Sequence, residues 1–319
     1  MTTLSALQEK MAIPLIAAPM FLVSNPTLAL ATCREGIVGS FPAHCTRSHD
    51  AFEDWLKEMK DGFSEEGADD FAPYGVNLVV HPTNPRCDGD LKLCIDYKVP
   101  LILTSKGAPG DIFKDIHAYG GVILHDVASK RHAEKALDAG ADGLIAVCGG
   151  AGGHTGTINP FALVNEIRQI TDKPIVLAGG MTTGRDILAA QVMGADMVYM
   201  GTRFIATHEA NVTDAYRQML VDTNANDVFF TAALDGAPAN WLKPSLLDAG
   251  IDLDELIRTP QTEVMPSDKV KGRYKNIYSA GHGVGNIHKI DHAADICRQI
   301  KQEYQDALSD LPNLNRMAS

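Results

Sequence analysis

The chain lacks an excess of positive charge. It carries 28 Lys and Arg residues against 40 Asp and Glu residues, which gives a formal net charge of −12 over 319 residues. Without surplus cations to offset phosphate repulsion, nucleic acid and anionic membranes are excluded as expected partners. An anionic small molecule is still allowed as a substrate, because a local electric field can oppose the global one.

The chain also lacks a disulfide framework, a long hydrophobic run and a secretion signal. Its six cysteines are scattered without C-x-x-C spacing, which favours a reducing compartment. The opening apolar run, 11–20, is interrupted by Pro14 and is too short to span a bilayer. It has neither the basic start nor the small-residue cleavage pattern of a signal peptide. These absences predict a soluble cytoplasmic protein.

The spacing of His, Cys, Asp and Glu does not indicate a metal site. His288 and His292 are four residues apart, but they begin the last helical pattern, where a solvated face is the default. We therefore expect no bound metal. No internal repeat or low-complexity segment is present, and the sequence leaves the oligomeric state open, a homodimer included.

What the chain does have is an alternation of short apolar runs with amphipathic stretches, which is typical of repeated βα units around a parallel sheet. Its hydrophobic content of 45 % is enough for a large core. The candidate strands are 15–18, 37–40, 74–80, 101–104, 121–126, 143–147, 174–178 and 197–200. Helical patterns between them include 51–60, 111–119, 129–139 and 185–193.

Eight such strands predict an α/β fold of the (β/α)₈ barrel type, with the ligand site at the carboxyl ends of the strands. An open doubly wound sheet would normally carry a glycine fingerprint in its first βα turn, but that turn here reads Ala18-Pro19-Met20-Phe21. We assign 1–206 to the barrel. Helical patterns without clear strand alternation, followed by loops at Pro266 and Gly272, predict a small helical insertion over 207–275. A loop and helix that close the barrel follow over 276–319.

The most informative segment is the glycine-rich run Gly149-Gly-Ala-Gly-Gly-His-Thr-Gly156, which follows a predicted strand and precedes a helical pattern. Glycines let the backbone approach a flat or anionic ligand closely. His154 lies in this loop, and its neutral imidazole can accept a proton near pH 7. A capping or solvent-facing histidine is the alternative interpretation.

Two further turns follow the seventh and eighth predicted strands, where barrels commonly bind phosphate. The first contains Gly179 and Gly180, and the second contains Gly201 and Thr202, whose hydroxyl adds a donor. Either could be an ordinary βα turn. Together, at this pair of positions, they favour a phosphorylated cofactor.

Other polar residues lie near the ends of the predicted strands. Asn77, within an apolar strand, needs a polar partner if it points inward, either a backbone group or a ligand edge. His44, Cys45 and His81 are expected to line the pocket. Cys148 is expected to be a buried structural thiol.

With these motifs placed, the sequence resembles the nitronate monooxygenase family of FMN-dependent barrels over essentially its whole length. The segments that carry the resemblance are Ile16-Ala-Ala-Pro-Met20, Gly75-Val-Asn-Leu78, Ala151-Gly-Gly-His-Thr-Gly156, Leu177-Ala-Gly-Gly180, Met200-Gly-Thr-Arg-Phe204 and Tyr278-Ser-Ala-Gly-His-Gly283. The first and fifth are shared with flavin barrels of the enoyl-reductase type.

The resemblance implies FMN as the cofactor, a nitronate or nitroalkane with O₂ as substrates, and His154 as the catalytic residue. It implies cofactor-binding roles for nine residues. By this resemblance Pro19 and Met20 line the flavin ring, Asn77 bonds to the flavin, and Gly152 and Ala178 touch the cofactor. The residues that hold the phosphate are Gly179, Gly180, Gly201 and Thr202.

Two departures from the family pattern affect the expected reaction. His125 is followed by Asp126, where some flavin barrels of this group carry lysine, and His282 stands where glutamine is common. The first departure removes a cation that would favour reduction by NAD(P)H, and the second changes substrate contacts. Both leave the FMN assignment intact and loosen the reaction assignment. The alternative enzyme is an NAD(P)H-dependent FMN reductase acting on a quinone or enoyl thioester on the same barrel. A non-catalytic metabolite-binding barrel is the third hypothesis.

Overall fold

The computed structural model describes residues 4–107, 111–265 and 276–314. Its strands are β1 (Leu15–Ala17), β2 (Gly39–Pro42), β3 (Tyr74–Val79), β4 (Leu101–Ser105), β5 (Val122–Val127), β6 (Gly143–Val147), β7 (Gly153–His154), β8 (Ile175–Ala178), β9 (Met197–Met200), β10 (Val228–Thr231) and β11 (Ala239–Leu242). The loops expected at Pro266 and Gly272 lie outside the described residues.

Helices alternate with the strands along most of the chain. They are α1 (Leu4–Gln8), α2 (Pro26–Arg34), α3 (His49–Gly62), α4 (Cys87–Asp96), α5 (Ile112–Tyr119), α6 (Lys130–Asp138), α7 (Pro160–Arg168), α8 (Gly184–Met193), α9 (Thr202–Ile205), α10 (Asp214–Asp222), α11 (Lys243–Asp248), α12 (Leu253–Arg258) and α13 (Ala293–Leu314). None of the helices in these described ranges is both long and apolar enough to cross a membrane.

The eight main strands form a closed parallel barrel. Their order is β1-β9-β8-β6-β5-β4-β3-β2, and a parallel bridge between Ile16 and Val38 joins the two ends. The predicted (β/α)₈ fold is confirmed. All eight predicted strands are present, with bounds within two residues of the expected ones.

Side chains alternate between two apolar layers, as the two-residue period of a strand requires. One layer fills the inside of the barrel, with Leu103, Leu124 and Val176 among its members. The other lies between the strands and the surrounding helices, with Val76 and Ile123 among its members. The barrel is therefore a packed core and not a pore.

Local sequence signals set the ends of the helices. The Thr183 side chain accepts from the Asp186 backbone N–H, while the Asp186 carboxylate accepts from the Thr183 N–H, so a capping box begins α8. Gly194, at φ 107°, ends the same helix in the left-handed conformation. Asn25 begins α2 in a similar way, with Pro26 at the first helical position.

The segment between β9 and α13 is an insertion into the barrel, but it is not purely helical. It contains α10, α11 and α12, and also β10 and β11, which pair antiparallel with each other. Strand β11 then pairs with β7 of the barrel loop. The sequence of β11 shows no alternation of apolar and polar residues, because this strand is buried at all four positions.

The last helix completes the ring of helices around the barrel. Helix α13 packs between α2 and α8, which is the place of the helix that follows the eighth strand. Its buried face includes Ile296, Cys297 and Ile300. Helix α13 lies directly against α8 at Gly184, where an added Cβ would be 2.2 Å from the Tyr304 amide nitrogen.

Candidate active site

A cavity of about 1890 Å³ opens at the carboxyl ends of the barrel strands. It is bounded by the loops that follow the strands and by the insertion. All ten site residues expected from the sequence line it: Pro19, Met20, Asn77, Gly152, His154, Ala178, Gly179, Gly180, Gly201 and Thr202. The fold therefore brings them together, while their individual roles stay predictions.

Three glycine loops interlock along one side of the cavity. A Cβ on Gly152 would lie 2.8 Å from the Gly281 nitrogen, and one on Gly281 would lie 2.6 Å from the Gly150 oxygen. A Cβ on Gly283 would lie 2.4 Å from the Gly180 oxygen. Any side chain at these positions would force the loops apart, so glycine is required here by backbone packing.

Backbone N–H groups without a protein acceptor lie among the residues that line the cavity. Within the described residues, the N–H groups of Gly179, Gly180 and Gly201 donate to no protein acceptor. Gly179 and Gly180 have φ values of 146° and 76°, which glycine adopts without strain. Free N–H groups on the strand-end loops of a barrel are typical of sites that bind anions.

Thr202 contributes its hydroxyl to the same place. Its Oγ1 accepts a hydrogen bond of 2.8 Å from the Gly281 N–H, and the hydroxyl proton is then left to donate. These turns thus offer four potential donors among the residues that line one cavity, and their phosphate-binding role stays a prediction.

Asn77 points into the barrel at the level of the cavity. Its Nδ2 donates to the Leu103 carbonyl at 2.9 Å and to the Ser105 hydroxyl at 3.1 Å. Both amide hydrogens are therefore used by the protein. A ligand that contacts Asn77 would have to donate to its side-chain oxygen.

His154 is held by the insertion. Its backbone belongs to β7, where it is paired with Ala239, and the Thr155 N–H donates to the Pro238 carbonyl. The buried Asn240 side chain donates to the Ala151 carbonyl at 2.7 Å. The catalytic candidate therefore lies on a strand, although the sequence indicates only a flexible glycine loop.

Two oppositely charged side chains contact the same nitrogen of the His154 ring. Nε2 lies 3.0 Å from Asp235 Oδ2 and 3.2 Å from Lys106 Nζ. One ring nitrogen cannot donate to the carboxylate and accept from the ammonium at once, so these contacts belong to different tautomers. The Asp235 side chain is 9 % exposed, against 37 % for His154.

Sequence reasoning missed both of these partners. Asp235 is 81 residues from His154 along the chain, and Lys106 is 48 residues away. Lys106 has a φ of 54°, a left-handed conformation that is uncommon for a residue other than glycine. This backbone strain is visible only in the structure. The one signal in the sequence that could have identified Lys106 is its position just after the end of a predicted strand.

Two aromatic side chains line the cavity beside the loop that contains Gly281 and Gly283. The rings of Tyr216 and Tyr278 stack with their centroids 4.1 Å apart and an interplanar angle of 6°. The Tyr216 hydroxyl donates to the Ser279 carbonyl. The stacked rings offer apolar surface to the cavity, which suits a flat or aliphatic ligand.

Of the remaining residues singled out in the sequence, some lie where we predicted and others do not. His44 lines the cavity, and burial lowers the pKa of its imidazole to about 4. Cys45 is not part of the lining, and its thiol donates to the Met20 carbonyl. His81 is exposed outside the cavity, so the pocket-lining prediction was wrong for these two. Cys148 is a buried thiol, as expected, and burial raises its pKa to about 12.

Comparisons with known proteins agree with this architecture. The family model "Nitronate monooxygenase" matches residues 41–303. A nitronate monooxygenase of Paraburkholderia phytofirmans is 25 % identical, with 93 % of this chain and 94 % of that protein aligned. The structure of FabK from Thermotoga maritima has a TM-score of 0.83 at 26 % identity and covers 98 % of this chain and 99 % of its own.

A further relative has a different activity. The (3aS,4S,5R,7aS)-5-hydroxy-7a-methyl-1-oxo-octahydro-1H-indene-4-carboxyl-CoA dehydrogenase of Rhodococcus jostii is 28 % identical over 74 % of this chain, which covers 64 % of that relative's length. The family model, in contrast, spans both the glycine loops and the strands that carry them. The chain belongs to the nitronate monooxygenase family and is an oxidoreductase.

Proposed function

We propose that this protein is an FMN-dependent nitronate monooxygenase that uses O₂ to convert alkyl nitronates into carbonyl compounds and nitrite. The observation that carries the proposal is the juxtaposition of His154, paired with Asp235, and the free N–H groups of Gly179 and Gly180 on one cavity. A base and an anion cradle at the carboxyl end of one barrel suit a phosphorylated redox cofactor and a substrate with an acidic proton.

The cavity fits FMN. The free amides of Gly179, Gly180 and Gly201 and the hydroxyl of Thr202 would hold the phosphate. Pro19, Met20, Gly152, Ala178 and Asn77 line the rest of the cavity and would contact the ring. Bound FMN would supply the acceptor for the electrons of the nitronate, with O₂ as the terminal oxidant for cleavage of the carbon–nitrogen bond.

The two tautomers of His154 suit two tasks. When Asp235 accepts from Nε2–H, the Nδ1 lone pair is left to remove the α-proton of a neutral nitroalkane. When Lys106 donates to Nε2, the Nδ1–H is left to donate to a nitro oxygen and orient the substrate. Both follow from the competition of a carboxylate and an ammonium for one nitrogen.

Oxygen consumption tests the proposal. We expect the FMN-loaded protein to consume O₂ and release nitrite when mixed with propyl nitronate, without NADPH. Absence of turnover with ethyl, propyl and butyl nitronates would contradict the assignment.

Asp235→Asn is expected to lower kcat with nitroethane by at least about tenfold, since it weakens a charged hydrogen bond of about 1.5 kcal/mol. Asp138→Asn, at an exposed carboxylate of the same cavity, is the matched control.

A flavin-dependent thioester dehydrogenase or reductase is the second candidate. The Rhodococcus jostii relative is named as a carboxyl-CoA dehydrogenase. The cavity of about 1890 Å³ exceeds the roughly 300–1,000 Å³ of ordinary small-molecule pockets, and Arg47, Lys106 and Lys135 line it. Anaerobic bleaching of the flavin by NADPH would favour the reductase, and reduction by propyl nitronate alone would favour the monooxygenase.

A cytoplasmic location and a homodimer stay predictions.

A further inference from the structure

A carboxyl group inside the barrel takes no part in the site described above. Along β5, Val122 and Leu124 belong to the apolar layer inside the barrel, whereas Ile123 and Val127 belong to the outer layer. The two-residue period of the strand therefore turns Asp126 toward the interior, one step from the carboxyl end of β5. Asp126 also lines the cavity.

The Asp126 carboxyl has an oxygen without a partner. Oδ1 is sealed from solvent and accepts no hydrogen bond from the described residues. Burial raises the pKa of this carboxyl from 3.8 to about 7. A buried oxygen without a partner favours the neutral form of the carboxyl, because an unpaired buried charge is costly. The Asp126 side chain is only partly buried and lines the cavity, so its other oxygen, Oδ2, is the atom that a ligand can reach.

The immediate surroundings of Asp126 do not neutralise it. On β9, the pKa of the Tyr199 phenol is raised by burial and by the Asp126 charge. On β6 the register partner of Asp126 is Ile145, and β4 ends with Ser105. The other titratable groups around the cavity, within the described residues, are His44, Arg47, Lys106, His125, His132, Lys135, Asp138, His154, Asp235, Tyr216 and Tyr278.

We propose that Asp126 is a cofactor-binding acid, which in its protonated form donates a hydrogen bond to an acceptor atom of the bound flavin ring. The inference rests on the FMN-binding part of the proposed function and not on nitronate oxidation. A flavin ring carries carbonyl oxygens and unprotonated ring nitrogens, all of which accept hydrogen bonds. A neutral carboxyl complements them, whereas an ionised carboxylate repels the same atoms.

This role makes flavin affinity depend on pH. Binding to the protonated acid favours the proton-bound form of the protein, so affinity falls as Asp126 ionises. Above the pKa of Asp126 the loss reaches about tenfold for each pH unit.

The test measures riboflavin and FMN dissociation constants on the full apo chain between pH 6 and 8.5. Riboflavin is included because it lacks the phosphate, whose own titration would alter FMN binding. We expect wild-type affinity for both flavins to fall above pH 7, and riboflavin affinity of Asp126→Asn to be independent of pH. The control Asp138→Asn, at an exposed carboxylate on the cavity rim, should keep the wild-type profile.

Carbon-13 NMR of labelled aspartate in the wild-type protein supplies a second measurement, which does not depend on the variant folding. The Asp126 carboxyl should titrate near neutral pH in the apo protein and stay protonated to higher pH with riboflavin bound. A wild-type flavin affinity that does not depend on pH would overturn the inference about Asp126 and leave the proposed function standing. So would an affinity of Asp126→Asn that depends on pH as the wild-type affinity does. Failure to bind either flavin would overturn it together with the proposed function.

Discussion

The chemistry of His154 depends on which neighbour holds its ring. Asp235 and Lys106 both contact Nε2, and the tautomer that each favours leaves a different atom at Nδ1. Neither neighbour is close to the histidine in sequence. His154 could therefore be identified as a catalytic candidate from its glycine loop, whereas its two partners could not be identified from the sequence.

Replacement of His154 by asparagine separates catalysis from cofactor binding. We expect His154→Asn to keep its affinity for FMN, because the free amides of Gly179 and Gly180 are untouched. Turnover of nitroethane should fall by about 10²–10⁴-fold, the usual contribution of a general base. Steady-state kinetics and flavin titration measure the two effects. Loss of flavin together with activity would show that His154 is structural, and His81→Asn, at an exposed position, is the control.

Asp126 makes the stability of the apo protein depend on pH. Its pKa rises from 3.8 to about 7 on folding, so the unfolded chain loses this proton first as the pH increases. The native state is therefore destabilised progressively between about pH 4 and pH 7, by at most about 4 kcal/mol for a shift of three units. Below pH 4 both states hold the proton and the effect disappears.

Urea unfolding of the apo protein checks this sign. Asp126→Asn should be more stable than wild type at pH 7.5, and the difference in unfolding free energy should shrink toward zero at pH 4. Equal differences at the two pH values would show that the carboxyl is not neutral in the native state. The Asn side chain has nearly the same size, so packing contributes little to the comparison.

At the scale of elements, the site is assembled by loops that pack backbone against backbone. The loop after β8 and the 3₁₀ turn His282–Asn286 approach so closely at Gly283 that a Cβ would lie 2.4 Å from the Gly180 oxygen. Gly285, in the same turn, has its nearest neighbour at 3.6 Å from an added Cβ. One turn thus supplies both a test position and its control.

Alanine substitutions use this pair. Gly283→Ala should push the turn away from Gly180 and weaken FMN binding by about tenfold or more, which corresponds to about 1.4 kcal/mol. Gly285→Ala should leave the affinity within about twofold of wild type. Fluorescence titration of FMN measures both, with circular dichroism to confirm folding. Similar affinities for the two variants would mean that the Gly180 loop does not hold the phosphate.

The insertion was the least predictable element. Strands β10 and β11 contain four residues each, and β11 is buried throughout, so neither shows the alternation that identifies a half-exposed strand. The pairing of β11 with β7 is a long-range contact that no local pattern encodes. The barrel strands, in contrast, are buried runs bounded by glycine turns, which the sequence displays directly.

For the whole molecule, cofactor binding and folding are coupled. FMN is expected to bind the assembled cavity and not the unfolded chain, because its contacts come from loops far apart in sequence. A free FMN concentration a hundredfold above Kd should then stabilise the protein by about 2.7 kcal/mol. The midpoint of thermal unfolding should rise by several degrees with FMN. An unchanged midpoint at saturating FMN would contradict a site built from the native barrel.

The chain by itself determined the barrel and the positions of the ten cavity residues. Short buried runs, helix caps and glycine turns are local signals, and in a parallel barrel every such turn at a strand's carboxyl end opens onto the same face. The family membership follows from the same motifs. These features are readable because each depends on residues adjacent in the sequence.

The tertiary structure alone decided what surrounds those residues. It placed Asp235 and Lys106 on the His154 ring, used both amide hydrogens of Asn77 within the protein, and turned Asp126 toward the cavity. Hydrogen bonds and burial depend on distances between segments, and these distances exist only after the barrel closes and the insertion pairs with β7. The side-chain contacts that set the charge and proton chemistry of the cavity therefore arise from the folded molecule as a whole.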